Sequence, residues 1–117
     1  MTEKARIVYA KEAELVYGDS TTKRLFTLPI GARPIRVTVV TEADATSAAC
    51  DIGTLSDDDK YVAALDVSSA GVAPATLLDS DKLTTLEDIY GLIASASSGG
   101  PFKVIFEFTS EKVTGPK

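Results

Sequence analysis

The sequence predicts an all-β domain, a single antiparallel β-sandwich of about eight short strands. Three observations carry that expectation. Apolar residues recur at every second position in the ordered-looking segments, the spacing that turns one face of a strand inward. Clusters of Gly, Pro, Asp and Ser separate those segments at nearly regular intervals. The core material is small: 44% of the 117 residues are hydrophobic, with four Phe, four Tyr and no Trp, which suits thin layers of aliphatic side chains.

Each element follows from its own residues. Arg6-Ile7-Val8-Tyr9 opens the series with a short β-branched run. Residues 10–16 are the one place where helix competes, because Lys11, Glu12 and Glu14 are good helix formers; they are read as extended chain. Residues 23–28 form the next strand, ended by Pro29-Ile30-Gly31. In 34–41, Ile35, Val37 and Val39 alternate with Arg36, Thr38 and Val40, so the first three are expected to face inward. Residues 47–52 lead to the Asp57-Asp58-Asp59 turn, after which Tyr61, Ala63, Leu65 and Val67 form another expected inward row. Segments 72–77 and 89–94 follow the turns Ser69-Ala70-Gly71 and Asp79-Ser80-Asp81. The strongest strand spans 101–109, with Phe102, Val104, Phe106 and Phe108 on one face and Lys103, Ile105, Glu107 and Thr109 on the other. Ser97-Ser98-Gly99-Gly100 is expected to join the last two strands as a hairpin.

Domain organisation is simple. Residues 23–110 make the sandwich. Residues 1–22 are charged and weakly patterned, an N-terminal arm or an edge strand, and 111–117 form a flexible C-terminal tail with little to bury.

Composition excludes several function classes. With 12 Lys and Arg against 17 Asp and Glu, the net charge is −5, and no basic cluster offers a footprint for nucleic acid. No apolar run reaches membrane-spanning length, and Met1-Thr2-Glu3-Lys4 does not open a signal peptide, so synthesis in a cytoplasm is expected. Histidine is absent, which removes Ser-His-Asp and Cys-His catalysis and the commonest metal ligand. No phosphate-binding glycine motif occurs. A glycosidase-like carboxylate pair would lack a Trp to hold the sugar. The expectation is a protein without catalytic residues, cofactor or metal.

Three features carry some chemistry. Cys50 is the single cysteine, which excludes an internal disulfide and reads as a small buried hydrophobe. Asp57-Asp58-Asp59 offers oxygen ligands suited to calcium, yet it lacks the alternating spacing of an EF-hand loop and reads as a solvated turn. Arg33 and Arg36 read as surface charges on a strand.

The order Leu28-Pro29-Ile30-Gly31-Ala32, Ile35-x-Val37-x-Val39, Asp51-Ile52-Gly53-Thr54, Asp57-Asp58-Asp59-x-Tyr61-Val62 and Leu65-Asp66-Val67-Ser68-Ser69-Ala70-Gly71 resembles small virion structural proteins of tailed bacteriophages. The late aromatic strand from Phe102 to Phe108 is similar as well, so the resemblance spans about residues 25–108. It implies a jelly-roll-like sandwich, a homo-oligomer with a trimer favoured, and a structural place in the particle. The chain is short, acidic and without a stalk, which favours a capsid decoration (cement) protein bound to the major capsid protein on the capsid surface. The expected contact residues are Arg6, Ile7, Val8, Tyr9 and Tyr17, an edge able to add to a partner's sheet. The alternatives are a neck, tail or fibre-attachment protein, or a carbohydrate-binding sandwich using Tyr61, Tyr90 and the 57–59 loop.

Overall fold

The computed structural model describes residues 7–16, 23–45, 47–94 and 99–110. They form eight strands and, among the described residues, no helix: β1 Val8–Leu15, β2 Lys23–Leu28, β3 Ala32–Thr41, β4 Ala49–Gly53, β5 Val62–Asp66, β6 Gly71–Ala75, β7 Glu87–Ala94 and β8 Phe102–Ser110. Two four-stranded antiparallel sheets, ordered β1-β8-β3-β6 and β2-β7-β4-β5, stack face to face. This is the strand order of an eight-stranded jelly roll. The all-β sandwich expected from the period-two pattern is the fold.

The alternating row on β8 supplies the centre of the core. Phe102, Val104, Phe106 and Phe108 are buried there, facing Ile89 and Ile93 of β7. Phe106 meets Phe26 and Tyr61 edge-on, with ring centroids 5.8 and 5.4 Å away, and so ties the two sheets together. Gly91 lies on the same inward row of β7. A Cβ there would come within 2.9 Å of Leu15 Cδ1, so the glycine makes room for Leu15 to reach across from β1.

The structure corrects the expected hairpin between the last two strands. β7 pairs with β2 and β4, whereas β8 pairs with β1 and β3, so the two strands oppose each other across the core. A Gly-rich connection can turn the chain within a sheet or carry it to the other sheet, and local turn chemistry does not distinguish the two. Among the described residues, only β4 and β5 are consecutive strands that pair.

Bulges correct two inward rows. At the irregularity between Pro34 and Arg36, Pro34 and Val37 turn inward while Ile35 is displaced to the surface. A second bulge, between Cys50 and Ile52, lets both Tyr61 and Val62 be buried and leaves Ala63 exposed. Asp51 Oδ1 accepts the Ala64 N–H at 2.7 Å, and Ala64 takes a φ of 51°. One inserted residue moves every later side chain to the other face. Residues 10–15 resolve as strand because β1 pairs with β8 along all eight of its residues, Val8 opposite Thr109 through Leu15 opposite Phe102.

Candidate functional site

The jelly-roll order puts the β2–β3, β4–β5 and β6–β7 connections at one end of the sandwich, together with the start of β1. Large apolar side chains are exposed on each of them: Ile30 at 61%, Leu55 at 70%, and Leu78 and Leu86 at 58% and 65%. Ile7, Val8 and Tyr9 continue this surface at the start of β1. Among the described residues, the other exposed large hydrophobics are Val16, Ile35 and Val72. The distribution is polarised along the strand axis.

Two grooves meet on this apolar end. The first, about 330 Å³, lies between the edges of β1 and β2 and is lined by Tyr9, Lys11, Pro29, Ile30, Leu86 and Phe108, among others. It exists because β1 outruns the opposite sheet. Tyr9, Lys11, Ala13 and Leu15 share the core-facing side of β1, yet only Leu15 is buried. Tyr9 stacks on Phe108 with ring centroids 5.7 Å apart, and both rings line the groove. The second groove holds Leu55, Leu86, Glu87, Asp88 and Tyr90. Leu86 is shared, so Tyr9, Ile30, Leu86 and Leu55 line one continuous surface.

The charges beside it are mostly negative. Glu87 is engaged by Lys60 Nζ at 2.8 Å and accepts a hydrogen bond from the Tyr61 hydroxyl. Asp88 accepts from Thr27 at 2.6 Å and pairs with Arg24 at 3.4 Å, which together hold its carboxyl below the ordinary range, the Thr27 bond most of all. Asp57, Asp58 and Asp59 stand exposed with ligand atoms within 4.8 Å of one another. Their loop is fixed by backbone bonds: Thr54 N–H donates to Asp57 O at 2.8 Å and Lys60 N–H to the same oxygen at 3.2 Å. That turn accounts for these residues without a metal.

The remaining chemistry is structural. Cys50 is fully buried, and burial, with the Asp51 charge second, pushes its thiol up to about 12. Tyr61 is fully buried, and its phenol is raised first by burial and then by its bond to Glu87. It therefore offers no face to a sugar, which removes one of the residues expected of a carbohydrate site; Tyr90 is half-buried in the second groove. At the opposite end a shallow polar hollow holds Asp44, Ser47, Asp66, Ser68 and Ser69. Its carboxylates act as turn ties, Asp44 accepting from Ala70 N–H at 2.7 Å and Asp66 from Ser68 N–H at 3.0 Å. Among the described residues no buried side-chain nitrogen or oxygen lacks a partner. Arg36 pairs with Glu107 at 3.5 Å, and Arg33 donates to Ser80 O at 3.2 Å.

Of the contact residues expected from the sequence, Ile7, Val8 and Tyr9 are exposed at the apolar end, while Arg6 and Tyr17 lie outside the described residues. Sequence reasoning missed Ile30, Leu55 and Leu86. Their signal was available: a large aliphatic residue alone in a turn, as in Pro29-Ile30-Gly31, Thr54-Leu55-Ser56 and Thr85-Leu86-Glu87, where polar residues are usual.

No family model matches the chain, and no curated protein matches it. Solved structures do. A chain of the cyanophage Pam1 capsid asymmetric unit superposes with a TM-score of 0.70 at 16% identity, over 94% of this chain and 89% of that one. A chain of the acid-stable capsid of Helicobacter pylori bacteriophage KHP30 gives 0.69 at 15% identity, over 88% and 87%. A chain of the Ralstonia phage GP4 capsid gives 0.67 at 16%, over 97% and 90%. At such identities the likeness lies in the fold.

Proposed function

We propose that this protein is a non-enzymatic structural component of a bacteriophage virion, a capsid decoration (cement) protein that bridges and stabilises major capsid protein subunits. One observation carries the reading. The same fold, over nearly the whole of both chains, occurs in three phage capsids. Chains matched at both ends are of about this chain's length, which suits a separate small subunit added to a shell. The chain has no histidine, the usual proton shuttle near neutral pH.

The protein would be made in the host cytoplasm and act on the capsid surface as a homo-oligomer, with a trimer favoured. Several modest contacts per oligomer then act together, because binding at one lattice point raises the effective concentration at the next. Residues 6–9 with Tyr17 are the proposed contribution of the N-terminal segment; the expected C-terminal tail, residues 111–117, lies outside the described residues. Counting copies per virion by quantitative mass spectrometry tests the placement. Copies on the order of hundreds fit a shell lattice, whereas about a dozen would move the protein to the neck or tail. Light scattering of the purified protein tests the trimer.

A further inference from the structure

We infer that the apolar end of the sandwich is the face that meets the shell, and that its occupant is a protein surface with an exposed aliphatic patch flanked by Lys or Arg. The inference rests on the virion reading above and names the surface that would serve it.

Three observations converge on this end. The first is the concentration of exposed aliphatics on its three connections, at exposures that a soluble surface rarely gathers in one place. The second is shape. Two grooves joined at Leu86 make a concave strip between Tyr9 and Leu55, able to receive side chains rather than a flat face. The third is charge. Lys60 and Arg24 already engage Glu87 and Asp88, so the exposed carboxylates of Asp57, Asp58 and Asp59 are surplus beside Leu55. Lys11 stands at the far wall of the first groove.

That charge decides between occupants. A second copy docked on the same face about a two-fold axis would bring one acidic loop toward another and repel. A basic partner would be drawn in and oriented by the same loop. The opposite end, with its serine- and aspartate-lined hollow, is suited to water. The sandwich would therefore stand end-on, apolar end down.

The test uses full-length protein and shells of the phage that encodes it, stripped of or assembled without this protein. Leu86→Asp and Leu55→Asp change side chains that are largely in solvent, so circular dichroism and melting should match the parent. Both variants should bind shells about tenfold or more weakly, as expected when a residue in a buried contact is lost. Val72→Asp, equally exposed at 69% but near the opposite end, should bind like the parent. Reversing Asp57, Asp58 and Asp59 to Lys should weaken binding and abolish its sensitivity to moderate salt. Parent binding with undiminished binding by the two Leu variants overturns the assignment of this face but leaves the virion reading intact. Leu variants that fall apart into monomers overturn it too, giving the face to a second copy. Parent protein that binds no shell removes the reading and the face together.

Discussion

Alkaline pH should destabilise this protein in a way that traces first to one thiol. Cys50 sits on β4 with no exposure, and its thiol is pushed from 9.0 up to about 12, by burial first and by the Asp51 charge second. Above pH 9 the unfolded chain releases a proton that the folded chain retains. Stability from this group is thus complete below about pH 9 and falls by about 1.4 kcal/mol per pH unit until about pH 12. The loss is on the order of 1 kcal/mol at pH 10 and 3 kcal/mol at pH 11. Tyr61 is shifted in the same direction from 10.0 and adds a second slope of the same sign above pH 10. Urea unfolding midpoints measured from neutral to about pH 11 on the parent, Cys50→Ala and Tyr61→Phe separate the two groups. Cys50→Ala should start less stable, because it leaves a small cavity, and then lose less than the parent above pH 9. Tyr61→Phe should track the parent's slope up to pH 10 and flatten relative to it beyond. A Cys50→Ala curve running parallel to the parent's between pH 9 and 11 would refute the reasoning.

Other perturbations read other parts of the fold. Phe106→Ala removes the ring that touches both Phe26 and Tyr61 and should cost about 3–5 kcal/mol in denaturant unfolding. Gly53→Ala places a Cβ 2.2 Å from Asp57 O, so the 54–60 loop must move; a loss of about 3 kcal/mol or more is expected, with amide exchange rising at Thr54, Asp57 and Lys60. Deleting residues 1–16 strips β1 from β8 and uncovers the packing of Leu15 against Gly91. The truncated chain should melt well below the parent, and a truncation of equal stability would make this segment a dispensable arm. Millimolar calcium should leave the melting temperature unchanged, since the 57–59 turn is held by its own backbone.

Periodicity made most of this fold legible and bulges hid the rest. The row Phe102, Val104, Phe106, Phe108 reads directly as the buried face of β8, because that strand runs unbroken between two neighbours. Ile35 reads as inward until the extra residue between Pro34 and Arg36 is known, and nothing in a local window announces it. Ala63 fails for the same reason: its strand is out of phase with Tyr61, and the tie responsible, Asp51 to Ala64, spans thirteen residues. The expected pairing of β7 with β8 fails because turn residues specify a reversal and not a neighbour. At the candidate surface, Ile7, Val8 and Tyr9 stood out as a run. Ile30, Leu55 and Leu86 are separated by about 25–30 residues each, and only closure of the jelly roll brings them to one end.

The edges of the two sheets explain why association would be directed to that end. A jelly roll exposes four edge strands, each a template for indiscriminate pairing. Here every one carries an obstacle. β1 presents Lys11, Glu12 and Glu14, and β2 begins with Lys23 and Arg24 before a bulge. On the other side, β5 is short and disturbed at Ala64, and β6 carries Pro74, which has no N–H to offer a ladder. Each of these edges thus carries a feature that works against indiscriminate strand addition. What is left without such protection is the row of aliphatic side chains at the ends of β2, β4 and β6. For the shell protein proposed above, which would occupy repeated, equivalent positions on a lattice, that division would be useful. Guarded edges would keep free copies from pairing strand to strand, while the side-chain surface inferred above would set a single orientation on the partner.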